Sequence, residues 1–567
     1  MSKLQFRVLY REFLFRTIDL ELLAPQGDAS KLLGQFAALL IFVSWWLSGI
    51  AGIMGGDRKN PLLGMLLIWM VQHFLIATTM LTVGLFAVMS WESTFPDRRD
   101  VQVLSPLPIA ARTVLLAKVA AVATALSVTV SALNAFTGII GPLTVASGRG
   151  GVLRSFAAYW LTMFAAGTFI FGCVLTVQGL AQLLPRQRFL RISSFVQTAF
   201  FVLLVTVYFL QPPFSEVKNL IADQATLRWI PSYWFFGLFH QLNGTMLPPF
   251  AFLARRAWIG LGIATCGAAT AYLVCYFRTL RKIAEQPDIL PARIRLRWLP
   301  PFGNTIQTAV GQFSVRTLLR SRQHRVMLSF YLGIGLGLAM FISGAPELHQ
   351  HASGLGSWSR ANVSLLVASA LILSAAVLGT RVVFSMPLEV RANWIFRVMP
   401  RSDIGECLAA TRRSLYCLSV APIWIACAGL FFWLWPSQTA AEHLALLALL
   451  GTVVAELCLH GFQKIPFTCS YLPGKTHFNM ALMYLVVFLL ATEWGADLEM
   501  RALRQPATYA IMLLILAAAA IGARWRTAAR AHWEGEALLF EEAPVPAIFE
   551  LGLHRDGVLA IDAPKPT

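Results

Sequence analysis

Charged residues are scarce in this chain of 567 residues. Asp, Glu, Lys and Arg make up only 13% of it, whereas hydrophobic residues make up 57%. A soluble protein of this length needs a charged shell around its core, and this composition does not supply one. The apolar residues occur in runs of about 18 or more, the length that crosses a hydrocarbon layer of roughly 30 Å. The composition therefore predicts an all-α polytopic protein embedded in a lipid bilayer.

Cysteine is also rare, and the spacings that mark zinc or redox sites are missing. The eight cysteines form no CxxC pair and no Cys/His cluster. All of them fall in predicted spans or on the predicted cytoplasmic side, which excludes an exported disulfide framework. We therefore expect neither a metal nor a cofactor on this chain.

A complete ATP-binding loop is absent as well. The segment from Cys469 to Thr476 ends in Gly-Lys-Thr, as a phosphate-binding loop does. The motif needs glycine at its first position, because the backbone must bend around the phosphates, and this chain has Cys469 there. No strand is predicted before the segment. We expect no catalytic residue and no ATP hydrolysis on this chain.

The charge that is present is strongly basic, with a formal net charge of +18. On a soluble protein such a charge would favour a nucleic-acid partner. Here the basic residues lie between apolar runs, as the positive-inside rule describes. With both termini in the cytoplasm, most Lys and Arg fall on the cytoplasmic side. The charge therefore predicts membrane topology and no nucleic acid.

The apolar runs divide the chain into two halves of six spans. Residues 1–31 are predicted to form an amphipathic interfacial helix, and residues 32–277 the first six-helix half. A basic cytoplasmic linker with a second amphipathic helix follows at 278–325, then the second half at 326–523 and a cytoplasmic tail at 524–567. Two such halves form a parallel repeat about an axis normal to the membrane. The twelve predicted spans are 33–56, 61–90, 113–138, 155–184, 192–210, 257–277, 326–345, 361–384, 414–435, 441–462, 478–495 and 507–523.

One cytoplasmic loop occurs twice, at 91–112 and at 387–406. Each copy follows the second apolar segment of its half and leads into the third. At an offset of 292 positions Arg99 coincides with Arg391, and charged residues, apolar residues and a proline recur in the same order. A repeated loop on the cytoplasmic side predicts a docking surface for a partner that drives the chain from that side.

A short aromatic segment precedes the sixth span. It reads IPSYWFFGLF from Ile230 to Phe239 and lies in a long outer stretch at 211–250. It is too short to cross the bilayer, so we expect an interfacial or re-entrant helix.

These two motifs resemble a known class of transporter. The stretch FPDRRDVQVLSPLPIAARTVLLAK, Phe95 to Lys118, and the IPSYWFFGLF segment are similar to the membrane subunit of bacterial ABC exporters, in the large form with two fused six-helix halves. The class has an amphipathic N-terminal helix, a coupling loop between helices 2 and 3, and a re-entrant element before helix 6. The resemblance implies an exporter permease of the bacterial inner membrane, moved by a separate ATPase subunit that carries ATP and Mg. It leaves the transported substrate unknown.

The resemblance also implies which residues dock the ATPase. The second copy lacks the paired aspartates and the Ser-Pro-Leu-Pro turn of the first, so equal docking on both copies is not implied. The predicted docking residues are Asp97, Arg98, Arg99, Asp100, Pro106, Pro108, Glu389, Arg391, Arg397 and Pro400.

Other functions remain open at this stage. A proton-coupled secondary transporter with twelve spans also carries an Asp-Arg loop between helices 2 and 3, but that loop has a glycine that is missing here. A membrane enzyme needs acids or histidines that converge on one face, whereas the candidates are scattered among predicted outer segments. A membrane scaffold is the third alternative. The scattered candidates are Asp223, His240, Glu493 and Asp497.

Four polar residues lie within or at the ends of the predicted spans. Lys118 is close enough to the inner end of its helix to snorkel toward the cytoplasm. Glu456 and His460 are four residues apart on one helix and are expected to pair there, in a structural role or sharing a proton. His73 is expected to be a satisfied core histidine.

Overall fold

The chain folds into helices that surround two hydrophobic cores. The computed structural model describes residues 3–18, 29–54, 61–91, 94–95, 104, 107, 109–145, 149–184, 186–209, 211, 227–245, 248–285, 303–343, 362–388, 404–460, 462, 465–468, 478–533, 553–554 and 557–558. The helices are α1 (Lys3–Ile18), α2 (Ala29–Met54), α3 (Pro61–Met89), α4 (Ala111–Leu133), α5 (Thr137–Val145), α6 (Arg149–Leu183), α7 (Arg186–Phe209), α8 (Pro231–Asn243), α9 (Pro248–Glu285), α10 (Thr305–Arg320), α11 (Arg322–Ser343), α12 (Val363–Phe384), α13 (Ile404–Leu415), α14 (Ala421–Leu434), α15 (Ser437–Leu459), α16 (Phe478–Ala502) and α17 (Pro506–Trp533). A π-helical turn, Tyr416–Val420, joins α13 to α14, and two short strands, β1 (Leu553–His554) and β2 (Gly557–Val558), pair antiparallel.

Among the described residues, eight helical stretches are long and apolar enough to cross a membrane. They belong to α3, α4, α6, α9, α12, the continuous α13–α14 helix, α15 and α17. Each of the twelve predicted spans coincides with a helix. This supports a helical multi-pass membrane protein, while the count of twelve spans remains a prediction.

Several helix boundaries differ from the predicted ones, because hydropathy marks only the apolar part of a helix. α9 begins at Pro248 and not near residue 257, and α16 continues to Ala502. Asp497 is therefore helical and not in a loop. The helix that ends in α14 begins at Ile404, ten residues before the predicted start, and its first turns are polar. α17 extends to Trp533, into the segment predicted as a tail.

The same helix pairs pack in both halves. α1 packs on α4 in the first half, and α10 packs on α13 in the second. α3 contacts α6 and α7, as α12 contacts α15 and α16. α6 packs on α9, as α15 packs on α17. These pairs recur in the order that two parallel halves would give, and the repeat itself stays a prediction.

The aromatic helix α8 is buried in the first half. It packs against α3, α6 and α9, and the side chains of Phe235, Phe236 and Phe239 are at most 3% exposed. Burial of three phenylalanines holds α8 against these helices. The two expected positions, interfacial and re-entrant, both stay predictions, because the contacts place α8 among helices and not at a depth in the bilayer.

The two halves join through α7 and α11, which run in the same direction. Thr198 lies 3.3 Å from Ser329 between the hydroxyl oxygens, and the ring of Phe201 packs on that of Phe330. About two helical turns further along both helices, Phe209 lies beside Gly337. Because α7 starts beside the end of α3, and α11 starts beside the end of α12, both repeated loops leave the helices on one side. We call this the loop side.

Candidate functional site

The predicted docking residues lie outside the described residues, and the structure describes instead the stems from which both loops leave. Stem 1 comprises Trp91, Thr94 and Phe95, directly after α3. Stem 2 comprises residues 385–388, directly after α12. In the 292-position alignment the two stems occupy equivalent places.

Stem 1 is held by side chains from three neighbouring helices. The backbone carbonyls of Val88 and Trp91 accept hydrogen bonds from Gln197 on α7 and Gln178 on α6. The Trp91 indole donates to the Ser193 hydroxyl over 3.2 Å. Carbonyls at a helix C-terminus have no partner within the helix, so these side chains satisfy them.

Lys118 completes the anchoring of stem 1 from α4. Its ammonium donates to the Phe95 carbonyl over 2.7 Å and lies 5.3 Å from the centre of the Phe13 ring on α1. The ammonium thus reaches toward the loop side, the expected direction, but it ends on a carbonyl and not in water, because the residue is only 2% exposed. The carbonyl, whose partial negative charge faces the ammonium, takes the place of solvent.

Stem 2 is organised around Phe467, in the segment that follows α15. Its backbone N–H donates to the Phe384 carbonyl over 2.8 Å, and its carbonyl accepts from the Leu388 N–H over 3.0 Å. Its φ of 65° is uncommon for a residue with a side chain. The ring, 2% exposed, is held against Phe384 and His324. This packing maintains the left-handed backbone that brackets the end of α12.

His324 holds stem 2 from the start of α11. Its Nε2 lies 3.1 Å from the Met386 carbonyl, and its Nδ1 lies 2.5 Å from the Ser321 hydroxyl. A neutral imidazole with a proton on Nε2 satisfies both contacts, because it donates to the carbonyl and accepts from the hydroxyl. Burial lowers the pKa of His324 from its ordinary value, against the opposing effect of the Met386 carbonyl. The neutral form is therefore favoured at neutral pH.

The two stems share one design despite different residues. In each, a carbonyl just beyond the helix contacts a basic side chain, Lys118 or His324, carried by a neighbouring helix. The ends of α3 and α12 are thereby tied to α4 and α11.

Glu456 and His460 occupy different environments. The Glu456 carboxylate is 1% exposed and accepts hydrogen bonds from Arg412 on α13 and Thr527 on α17, at 3.1 and 3.0 Å. His460 is exposed and caps the end of α15. These contacts connect α13, α15 and α17 through Glu456. A buried ion pair is stable only with additional hydrogen bonds, and Thr527 supplies one here. The pairing of Glu456 with His460 remains a prediction.

His73 is a core residue, as expected. Its Nε2 lies 3.0 Å from the Ser232 hydroxyl, and its ring stacks on Tyr233 at 4.0 Å between centres. Both partners lie on α8, so His73 attaches α8 to α3.

Sequence reasoning missed several anchors: Gln178, Gln197, His324, Arg381 and Phe467. The available signal was polar side chains close to the loop-side ends of apolar helices, where they are costly without a partner. Nothing in the sequence around Phe467 indicated its role. Among the described residues, no three His, Cys, Asp or Glu are grouped closely enough to hold a metal ion.

Comparison of the chain with models of known protein families, with curated proteins and with solved structures gave no match.

Proposed function

We propose that this chain is the membrane subunit of an ATP-driven exporter, moved by a separate ATPase that docks on the loops at 91–112 and 387–406. The observation that carries the proposal is the anchoring of both loop stems on one side of the helices. Such ties would carry a displacement of either loop into the helices of its half. Here the carbonyls of Phe95 and Met386 are fixed to α4 and α11.

The repeat of helix contacts supports the same function. Two halves with equivalent pairs, joined through the parallel helices α7 and α11, present two equivalent loops to one pair of motor subunits. ATP-driven closure of those subunits would draw the loops together. The tied helices would follow, and the halves would rock to open the opposite side, in the manner of other repeat-built transporters.

Affinity purification of the tagged full chain from its own membranes tests the docking surface. The native chain is compared with the Arg98→Ala, Arg99→Ala double variant. Loss of two guanidinium groups removes charge-assisted contacts, so we expect at least tenfold less co-purified ATPase, identified by mass spectrometry and ATP hydrolysis.

The matched control is Arg186→Ala with Arg188→Ala, which removes two arginines from the start of α7 on the same side. It should retain the ATPase. Absence of an ATPase from the native sample, even after crosslinking in the membrane, would refute the motor. Equal retention by both double variants would refute the docking surface.

A second candidate function is proton-coupled transport without a motor. The buried pair His443 Nδ1 and Glu499 Oε1, 2.6 Å apart between α15 and α16, favours it, because such pairs serve as proton relays in transporters. Transport that persists in vesicles without ATP and collapses with the proton gradient would select this function.

A further inference from the structure

The described part of the second half contains a large cavity. Its volume is about 1680 Å³, and it is lined by α12, α15, α16 and α17 with the start of α11. This exceeds the roughly 300–1,000 Å³ of an ordinary small-molecule pocket. In the first half, α8 packs against α3, α6 and α9, and a pocket of about 30 Å³ lies among α3, α5, α6 and α8.

The long wall of the cavity is apolar. Leu366, Leu450, Leu516 and Met512 line it from three different helices. Contact with hydrocarbon stabilises an apolar surface of this kind, whereas contact with water does not. The ligand therefore carries an apolar portion that is long enough to follow the helices.

The loop-side end of the cavity is cationic. Arg381, at the end of α12, lines it together with Ser385 and His460. The Arg381 guanidinium donates to the Cys458 carbonyl over 2.8 Å and to the Ser385 hydroxyl, and it lies 4.3 Å from the centre of the Phe462 ring. These contacts fix a planar fork of donors at the cavity, the group that best recognises phosphate.

The length of the cavity matches one lipid molecule. His443 and Glu499, which bond each other, line the far end. From Cys458 to His443 the axis of α15 advances about 22 Å at 1.5 Å per residue. One leaflet of hydrocarbon, about 15 Å, with a headgroup layer of about 6 Å has the same length.

We propose that this cavity binds one anionic glycerophospholipid, with its phosphate at Arg381 and its acyl chains along α15 and α17. The cavity is formed by the second half and the start of α11, and its loop-side end is bordered by Ser385, Met386 and Pro387 of stem 2. Bulk bilayer lipid would instead contact the outward faces of the same helices without preference for its headgroup.

Photolabelling of the purified full chain distinguishes these cases. The probes are phosphatidylglycerol and phosphatidylcholine with identical diazirine-bearing acyl chains, presented in mixed micelles. We expect phosphatidylglycerol to label α17 at Met512 and Leu516, which line the cavity, in preference to the exposed Ile511 and Ile515. Phosphatidylcholine should label the cavity about tenfold less.

Two variants test the two ends of the ligand. Arg381→Gln removes the cation and should lower cavity labelling by phosphatidylglycerol about tenfold while leaving the outward positions unchanged. Leu450→Trp fills the cavity and should reduce labelling there by both probes. The control is Arg526→Gln, an exposed cation toward the loop-side end of α17, which should label as the native chain does.

Equal labelling by the two lipids, or unchanged cavity labelling in Arg381→Gln, would overturn the proposal. Size-exclusion profiles of each variant separate loss of binding from loss of folding. If Arg381→Gln does not fold, the Leu450→Trp result and the headgroup preference of the native chain still decide the question. Neither readout depends on an ATPase, so failure of the motor leaves this test intact.

Discussion

Single polar side chains determine how firmly each loop is held. A lysine that is 2% exposed within a helix bundle is costly unless its ammonium has partners. Lys118 has the Phe95 carbonyl and the face of the Phe13 ring, and both lie on segments that the sequence places far from it. One side chain thus connects α1, α4 and stem 1.

Replacing Lys118 with methionine should loosen stem 1. The substitution keeps an apolar chain of similar length but leaves the Phe95 carbonyl without its donor, at a cost of about 1–3 kcal/mol. We expect a lower midpoint of thermal unfolding in detergent, followed by the circular dichroism of the helices.

Arg112→Met on the same helix is the control, because Arg112 is exposed. Its effect should stay within about 0.5 kcal/mol. If the two variants unfold at the same temperature, Lys118 does not hold the stem.

The sequence identified Lys118 as unusual but did not predict its role. A charge in an apolar segment is visible at once, whereas its partner depends on how α3 ends and how α4 crosses it. The roles of Gln178 and Gln197 were hidden for the same reason, since a glutamine near a span end has many equally good environments.

Among the elements, α8 is the one whose position depends most on close packing. Gly237 faces α9, and a Cβ there would lie 2.7 Å from the Leu253 Cβ and 2.9 Å from the Phe250 carbonyl oxygen. The backbone of α9 cannot move away from an added methyl group as the end of a flexible side chain could. The glycine is therefore what allows the two helices to approach.

Gly237→Ala should destabilise the first half by about 1–3 kcal/mol, because the added methyl group forces α8 away from α9. Gly262→Ala is the matched control: it lies on α9 with nothing within 4 Å of its Cβ position, and alanine should favour the helix by up to about 1 kcal/mol. Thermal unfolding of the two variants should shift in opposite directions. A shift in the same direction would contradict close α8–α9 packing.

Element types were predictable where length and composition acted together. The long apolar runs predicted helices that are present, and the short aromatic segment predicted α8. Its burial was not predictable, because interfacial and buried aromatic helices have similar compositions. The polar first turns of α13 were missed, since they pack on α10 and so escape the hydropathy signal.

The whole molecule depends on a single described seam between its halves, α7 against α11. Gly333 and Gly337 lie under the rings of Phe201 and Phe209, where small residues let the helices approach. Without a hydrophobic driving force between helices in lipid, this steric fit is the main source of cohesion at the seam.

Two fragments, 1–290 and 291–567, should therefore assemble when they are co-expressed. A tag on one fragment should recover the other in equal amounts. Gly333→Leu with Gly337→Leu should abolish recovery, whereas Gly522→Leu, at an open position on α17, should not. If the two fragments of native sequence do not purify together, the seam does not hold the halves.

The sequence predicted two halves from the duplicated loop, and the matching helix contacts support this organisation. It did not predict that the halves differ in their interiors. That difference arises because residues 231–243 insert a helix into one half, and the second half has no comparable aromatic segment between its last two helices, which only residues 503–505 separate.

The unequal interiors have a consequence for how the protein tolerates change over evolutionary time. In the first half, aromatic residues pack closely around α8, so we expect a substitution there to disturb folding first. In the second half, the wall of the cavity can change residue by residue without unfolding the chain. A duplicated ancestor would thus acquire new ligand preferences through one copy, while the other copy preserved the framework that both loops act upon.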